Sequence, residues 1–152
     1  MKKQSVPAID LTSYKRTEDE KRPIPMKVEE LHLDPKNPRL AEFTHTGTQS
    51  AIQSIMEKEF DLLPLADSLS RNGFFWEEPL VAVREPLTEF RRKPVLVVIE
   101  GNRRLASIKY ILANPGKYPD PAARKRLAEV PVIVRTDREE TLSFVGFRHV
   151  TG

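Results

Sequence analysis

The chain has 152 residues, 39% of them hydrophobic and 31% charged, which is the mixture of one soluble globular domain with room for a single core. It contains no cysteine, which excludes disulfides, thiolate metal sites and a cysteine nucleophile and agrees with the expected cytoplasmic location. No apolar run approaches the roughly 18 residues of a membrane span, and the N-terminal MKKQSVPAIDLTS lacks the apolar centre of a signal peptide. Net charge is +3, with ten basic and ten acidic residues in 1–60 against fifteen and twelve in 61–152. That excess is milder than in a dedicated DNA-binding domain, so charge alone does not demand nucleic acid.

Residues 1–26 mix charges and prolines with almost no apolar periodicity and read as a flexible N-terminal arm preceding a domain at 27–152. Val28, Leu31 and Leu33 suggest a short strand or turn, which Asp34-Pro35-Lys36-Asn37-Pro38-Arg39 converts into a rigid loop. Between Thr48 and Phe60, Ile52, Ile55, Met56 and Phe60 recur at helical spacing. A second helix carries Pro64 in its first turn and Leu65, Ala66 and Leu69 on its apolar face, and stops at Asn72-Gly73. Pro79 to Arg84 is a short strand, and Pro94 to Ile99 is an unbroken β-branched run of the kind buried on both faces.

Asn102 to Ala113 then shows Leu105, Ile108, Ile111 and Leu112 on one face before Asn114-Pro115-Gly116 forbids continuation. A short helix from Pro121 to Ala128, a strand from Val130 to Val134 and the start of a helix at Asp137 complete the pattern. Two glycines among aromatic and charged residues make 146–152 an odd terminus, so the chain is expected to be the N-terminal part of a longer protein.

The chemistry concentrates at Glu100-Gly101-Asn102-Arg103-Arg104, where a buried strand turns at a glycine into a helix. Such a turn aims the unpaired N–H groups of the first helical turn, and the positive end of the dipole, at one point where an anion fits. Gly101 is expected to let the backbone approach the ligand and Asn102 to cap the helix. Arg103 and Arg104 bring ten side-chain donors to an end of the helix that disfavours cations unless an anion is expected. The plain alternative is a solvated surface on which the arginines pair with Glu100. Glu100 itself is a candidate general base or magnesium-orienting group, or the ion-pair partner of Arg103 or Arg104. Phe74-Phe75-Trp76 could stack a base but more often packs in a core or rim. His45 reads as a solvent-exposed loop residue and Arg124-Lys125-Arg126 as a solvated face.

The segments Leu33-Asp34-Pro35-Lys36-Asn37-Pro38-Arg39, Leu65-Ala66-Asp67-Ser68-Leu69-Ser70-Arg71-Asn72-Gly73-Phe74, Pro79-Leu80-Val81-Ala82-Val83, Val98 to Ser107 and Val130-Pro131-Val132-Ile133-Val134 resemble, in order and spacing, the N-terminal domain of ParB-like proteins. The resemblance covers about residues 27 to 135 and implies the ParB/sulfiredoxin fold, a compact α/β (α+β) domain whose small mixed sheet is flanked by helices. Glu100 to Arg104 stands where ParB proteins have a Gly-Glu-Arg-Arg box.

What the resemblance implies is a nucleoside triphosphate, CTP or ATP, held by Gly101, Asn102, Arg103 and Arg104 with the Asn37-Pro38-Arg39 loop beside it. Slow Mg2+-dependent hydrolysis by way of Glu100 and a DNA-linked role go with it. The second ParB box should follow the Val130 to Val134 strand, and Arg148 or His149 takes its place in contacting phosphate or metal. Sulfiredoxin chemistry is excluded, because Asn102 stands where that enzyme needs its cysteine. Two alternatives stay open: a DNA-binding or nuclease module using the same arginines on backbone phosphate, and a nucleotide-blind interaction domain. A homodimer is also left open.

Overall fold

The computed structural model describes residues 22–88 and 90–143 of the chain. Five strands form one mixed sheet: β1 (Ile24–Lys27), β2 (Leu31–Leu33), β3 (Leu80–Glu85), β4 (Val95–Glu100) and β5 (Glu129–Arg135), in the order β1-β5-β3-β4-β2. β2 runs parallel to β4, with Leu31 opposite Leu96 and Leu33 opposite Val98. β3 is antiparallel to β4 and parallel to β5, and β1 closes the far edge antiparallel to β5.

β1 begins inside the stretch that composition assigns to the N-terminal arm. Tertiary pairing, Ile24 to Val132 and Met26 to Val130, supplies the order that four residues including a proline and a lysine do not signal alone. The mixed α/β architecture is otherwise the expected one. Helices α1 (Gln49–Glu59), α2 (Leu62–Asn72), α3 (Asn102–Ala113) and α4 (Pro121–Leu127) bury Ile52, Met56, Ala66, Leu69, Leu105, Ile108, Ile111 and Leu127 in one core. Strand residues Leu80, Ala82, Leu96, Val98, Val130, Val132 and Val134 complete it from the sheet. Alternation sends Val81, Val83, Val97 and Ile99 to a smaller apolar cluster, so β4 is buried on both faces as its composition requires.

The ends of the helices show why they stop and start where they do. Thr48 caps α1 through a bond from the Ala51 N–H at 3.2 Å, and Asp120 caps α4 ahead of Pro121. Gly73, at φ 81°, ends α2 as the Asn-Gly pair predicts. Arg124 donates to the carbonyls of Ile111 and Leu112, both at 2.8 Å, satisfying acceptors that the end of α3 leaves unpaired. Arg124 is therefore half-buried structure rather than part of a solvated charge run, whereas Lys125 and Arg126 are exposed. A helical stretch at 138–143 follows β5, capped by Asp137, whose side chain accepts from the Glu140 N–H at 2.9 Å.

Candidate functional site

β2 and β4 are neighbours and parallel, so their carboxyl ends open on the same edge of the sheet. β2 feeds the 34–40 loop and β4 feeds Gly101 and α3. Open α/β sheets place ligands at such ends. β4 reaches this edge through a β-bulge: Val81 pairs with Glu100 while Ala82 pairs with Val98, leaving Ile99 as the extra residue. Bulges re-aim a strand end, and here the re-aimed residues are Ile99, Glu100 and Gly101.

A cleft of about 250 Å³ lies at this edge, lined by Asn37, Arg39, Met56, Phe60, Ile99, Glu100, Gly101, Asn102 and Arg103. Six of the residues singled out from the sequence meet there although up to 66 positions separate Asn37 from Arg103. Arg39 and Arg103 supply two positive charges and Glu100 one carboxylate. The first turn of α3 contains no acidic residue, so its N–H groups and dipole add to the positive side. Arg39 lies over the Phe60 ring, 4.7 Å from its centroid, which steadies a side chain on a short loop.

Gly101 takes φ 102°, and a Cβ there would stand 2.3 Å from Leu80 Cδ2 and 3.0 Å from an Arg104 nitrogen. The protein's own core therefore already demands glycine at this position. Gly101 is also the residue at the N-cap position, and the expectation for Asn102 is corrected accordingly. Asn102 is inside the helix and only 8% exposed. Its Oδ1 accepts from the Asp34 N–H at 3.0 Å and its Nδ2 donates to the Val98 carbonyl at 2.8 Å. The side-chain amide therefore continues the β2–β4 ladder one step beyond the point where backbone pairing ends.

The two arginines diverge. Arg103 lines the cleft while donating from Nε to the Phe60 carbonyl at 2.8 Å and from Nη2 to the Asp61 carbonyl at 2.6 Å. It thereby holds the α1–α2 junction, where Asp61 adopts the left-handed φ of 51°. Arg104 is not among the lining residues: it donates to the Glu78 carbonyl and lies 5.1 Å from the Phe74 ring centroid. Successive helix positions differ by about 100° in direction, so two adjacent arginines rarely face one ligand.

Phe74 is buried in the core, while Phe75 and Trp76 are exposed and none of the three lines the cleft. His45 is half-buried and accepts from the Gly47 N–H at 3.0 Å, so it braces its loop rather than standing free in solvent. Arg148 and His149 lie outside the described residues. Sequence reasoning missed Met56, Phe60 and Ile99 as cleft walls, because apolar residues at helix and strand periodicity signal only a core. Nor does the sequence signal the pairing of Arg138 with Asp34, 104 positions apart, at 2.8 and 3.0 Å.

A larger hollow of about 380 Å³ lies between β2, α1 and α3, lined in part by His32, Gln49, Gln53 and Lys109. Gln49 pairs in both directions with the Leu33 backbone, at 2.7 and 2.9 Å, and so occupies the open edge of β2. Burial lowers the pKa of both His32 and Lys109, and the Lys109 charge lowers that of His32 further. Among the described residues no helix is long and apolar enough to cross a membrane.

No protein-family model and no curated protein matches the chain. Among solved structures it is similar to the C-terminally truncated chromosome-partitioning protein ParB from Caulobacter crescentus, complexed with CTP-γ-S. The sequence identity is 20% and the TM-score 0.49, over 86% of this chain and 53% of that one, so the chain spans about half the length of that protein.

Proposed function

We propose that the cleft at the start of α3 binds the phosphates of a nucleoside triphosphate, CTP or ATP, in the manner of a ParB-like domain. One observation carries this reading: Arg39, Arg103 and the acid-free first turn of α3 converge on one cleft at the carboxyl ends of two adjacent parallel strands. Helix N-terminal amides and guanidinium groups are the donors that phosphate oxygens accept. Two of the five Arg103 donors are engaged by carbonyls, which fixes the guanidinium in place before any ligand arrives. Arg104 serves the packing of the 74–78 turn and is left out of the phosphate set.

Glu100 is the one carboxylate among the described lining residues. A magnesium ion characteristically takes one or two carboxylates together with substrate phosphates, so the residues present fit such an ion only when a nucleotide is bound. Glu100 would then hold it, and the ion would offset phosphate charge. With a single carboxylate at the site, hydrolysis is expected to be slow.

Calorimetric titration tests the reading. Arg39→Ala and Arg103→Ala each remove charge-assisted bonds worth about 1.5 to 3 kcal/mol, a loss of roughly ten- to a hundred-fold in affinity. Arg104→Ala should bind as tightly as the wild type. Titrations unchanged by both Arg39→Ala and Arg103→Ala in folded protein would end the proposal. Binding of a short DNA duplex that weakens steeply with salt, with no response to nucleotide, would favour the DNA-contacting alternative instead.

A further inference from the structure

We infer that Arg138 is a positioning residue for the phosphate cleft, acting through Asp34 on the loop that carries Asn37 and Arg39; the inference rests on the nucleotide-binding reading of that cleft. Arg138 does not line the cleft. Its guanidinium instead forks onto Asp34, with Nη1 donating to Oδ2 at 3.0 Å and Nη2 to Oδ1 at 2.8 Å. The same guanidinium reaches Glu85, with Nε donating at 3.1 Å and Nη2 at 2.5 Å. Asp34 follows β2 and Glu85 ends β3, so one cation joins the two strands that flank β4.

Asp34 is 3% exposed and is the hub of the arrangement. Its Oδ1 accepts from the Lys36 N–H at 2.9 Å, and its carbonyl accepts from the Asn37 N–H at 3.1 Å. Its own N–H donates to Asn102 Oδ1. Asn37 Oδ1 accepts in turn from the Arg39 N–H at 3.0 Å. An unbroken run of hydrogen bonds therefore leads from Arg138 through Asp34 and Asn37 to Arg39 in the cleft, and a side branch reaches Asn102 in the same cleft.

A carboxylate this deeply buried is held in one orientation by a matched cation beside it. The planar fork of arginine meets both oxygens of Asp34 at once, which a lysine ammonium cannot do. Burial by itself would lower the Arg138 pKa, but the hydrogen bonds and charges of Asp34 and Glu85 hold it above its ordinary value. The cation is permanent at any pH the protein meets. Asp34, fixed from the far side by Arg138, presents Oδ1 to the Lys36 amide and so sets the turn into Asn37 and Arg39. Without Arg138 that carboxylate keeps, among the described residues, only its bond from the Lys36 amide, and the loop loses its anchor to the rest of the sheet.

The test uses Arg138→Gln and Arg138→Lys, each alone and combined with Arg39→Ala. Two measurements are made: hydrogen exchange without nucleotide, and calorimetric titration with CTP or ATP and magnesium. In Arg138→Gln the amides of Lys36, Asn37 and Arg39 should exchange faster while those of Val97 and Ile108 keep their wild-type rates. Triphosphate affinity should fall by roughly ten-fold, and by no more than two-fold when Arg39 is already alanine, because the two changes act on one contact. Arg138→Lys should lie between wild type and Arg138→Gln, and it carries the test if Arg138→Gln does not fold.

Unchanged loop exchange would overturn the inference. So would an equal affinity loss in the Arg39→Ala background, or exchange raised equally throughout the core, either of which marks a general loss of stability. If the wild type binds neither triphosphate, the nucleotide reading falls with the titration, and loop exchange alone then decides whether Arg138 sets the 34–39 loop.

Discussion

Gly101 is the one-residue link between β4 and the helix that faces the cleft, Asn102 opens that helix, and the reason for each residue lies outside its own segment. Gly101 was legible as a necessary glycine, but the reason for it, the Leu80 methyl group 2.3 Å from where a Cβ would sit, belongs to a residue 21 positions away. Gly101→Ala combines a left-handed φ that costs about 1 to 3 kcal/mol with overpacking against Leu80 that costs about as much again. A loss of about 2 to 5 kcal/mol in urea unfolding is expected, and a loss under 0.5 kcal/mol would contradict this account of the turn. Asn102 reads in sequence as a cap, because asparagine before an apolar helical run usually is one. Its amide is turned instead to Asp34 and Val98, two groups that only the pairing of β2 with β4 brings within its reach.

At the scale of elements, periodicity located β4 and α3 to within a residue, since a strand buried on both faces and a helix with one apolar stripe each impose a repeat on the sequence. β1 and β2 were less legible. At four and three residues they are too short to show a period, and their partners lie 65 or more positions away.

β2 also carries a pH response. Burial in the hollow beside β2 pushes the His32 pKa below its ordinary value, and nearby Lys109 adds to the effect, while bonding to the Leu96 carbonyl opposes it. A histidine depressed in the folded state binds its proton more readily when unfolded. Its contribution to stability is therefore fully present above the ordinary histidine pKa of about 6.5 and is lost as pH falls through that value toward the folded one. Melting temperature should drop between pH 7.5 and 5, and His32→Gln should flatten that part of the curve. An identical pH profile in the variant would exclude His32 as the source.

For the whole molecule, strand order decides more than any single element. Because β2 lies beside β4 and runs parallel to it, the loop bearing Asn37 and Arg39 faces the helix bearing Arg103. A ligand that binds only this folded arrangement stabilises it, by about 2.7 kcal/mol at a hundred times its dissociation constant. For a domain of this size that corresponds to a rise of roughly 5 to 10 °C in Tm. Thermal melts with CTP, ATP, GTP and their diphosphates, with and without magnesium and short duplex DNA, should show the rise for a triphosphate. A panel in which no nucleotide moves the Tm would favour the nucleotide-blind alternative.

The sequence by itself determined the elements whose physics is local: a β-branched run, a helix with one apolar stripe, a glycine at their junction and two prolines that stiffen the 34–39 loop. Those features follow from backbone conformation and hydrophobic period, which act over a few residues. Only the tertiary structure decided which polar groups meet. It turned Arg103 toward the cleft and Arg104 away from it, spent Asn102 on the strand ladder, and set Arg138 on Asp34, because the satisfaction of buried polar groups depends on partners that chain folding, not sequence neighbourhood, brings together.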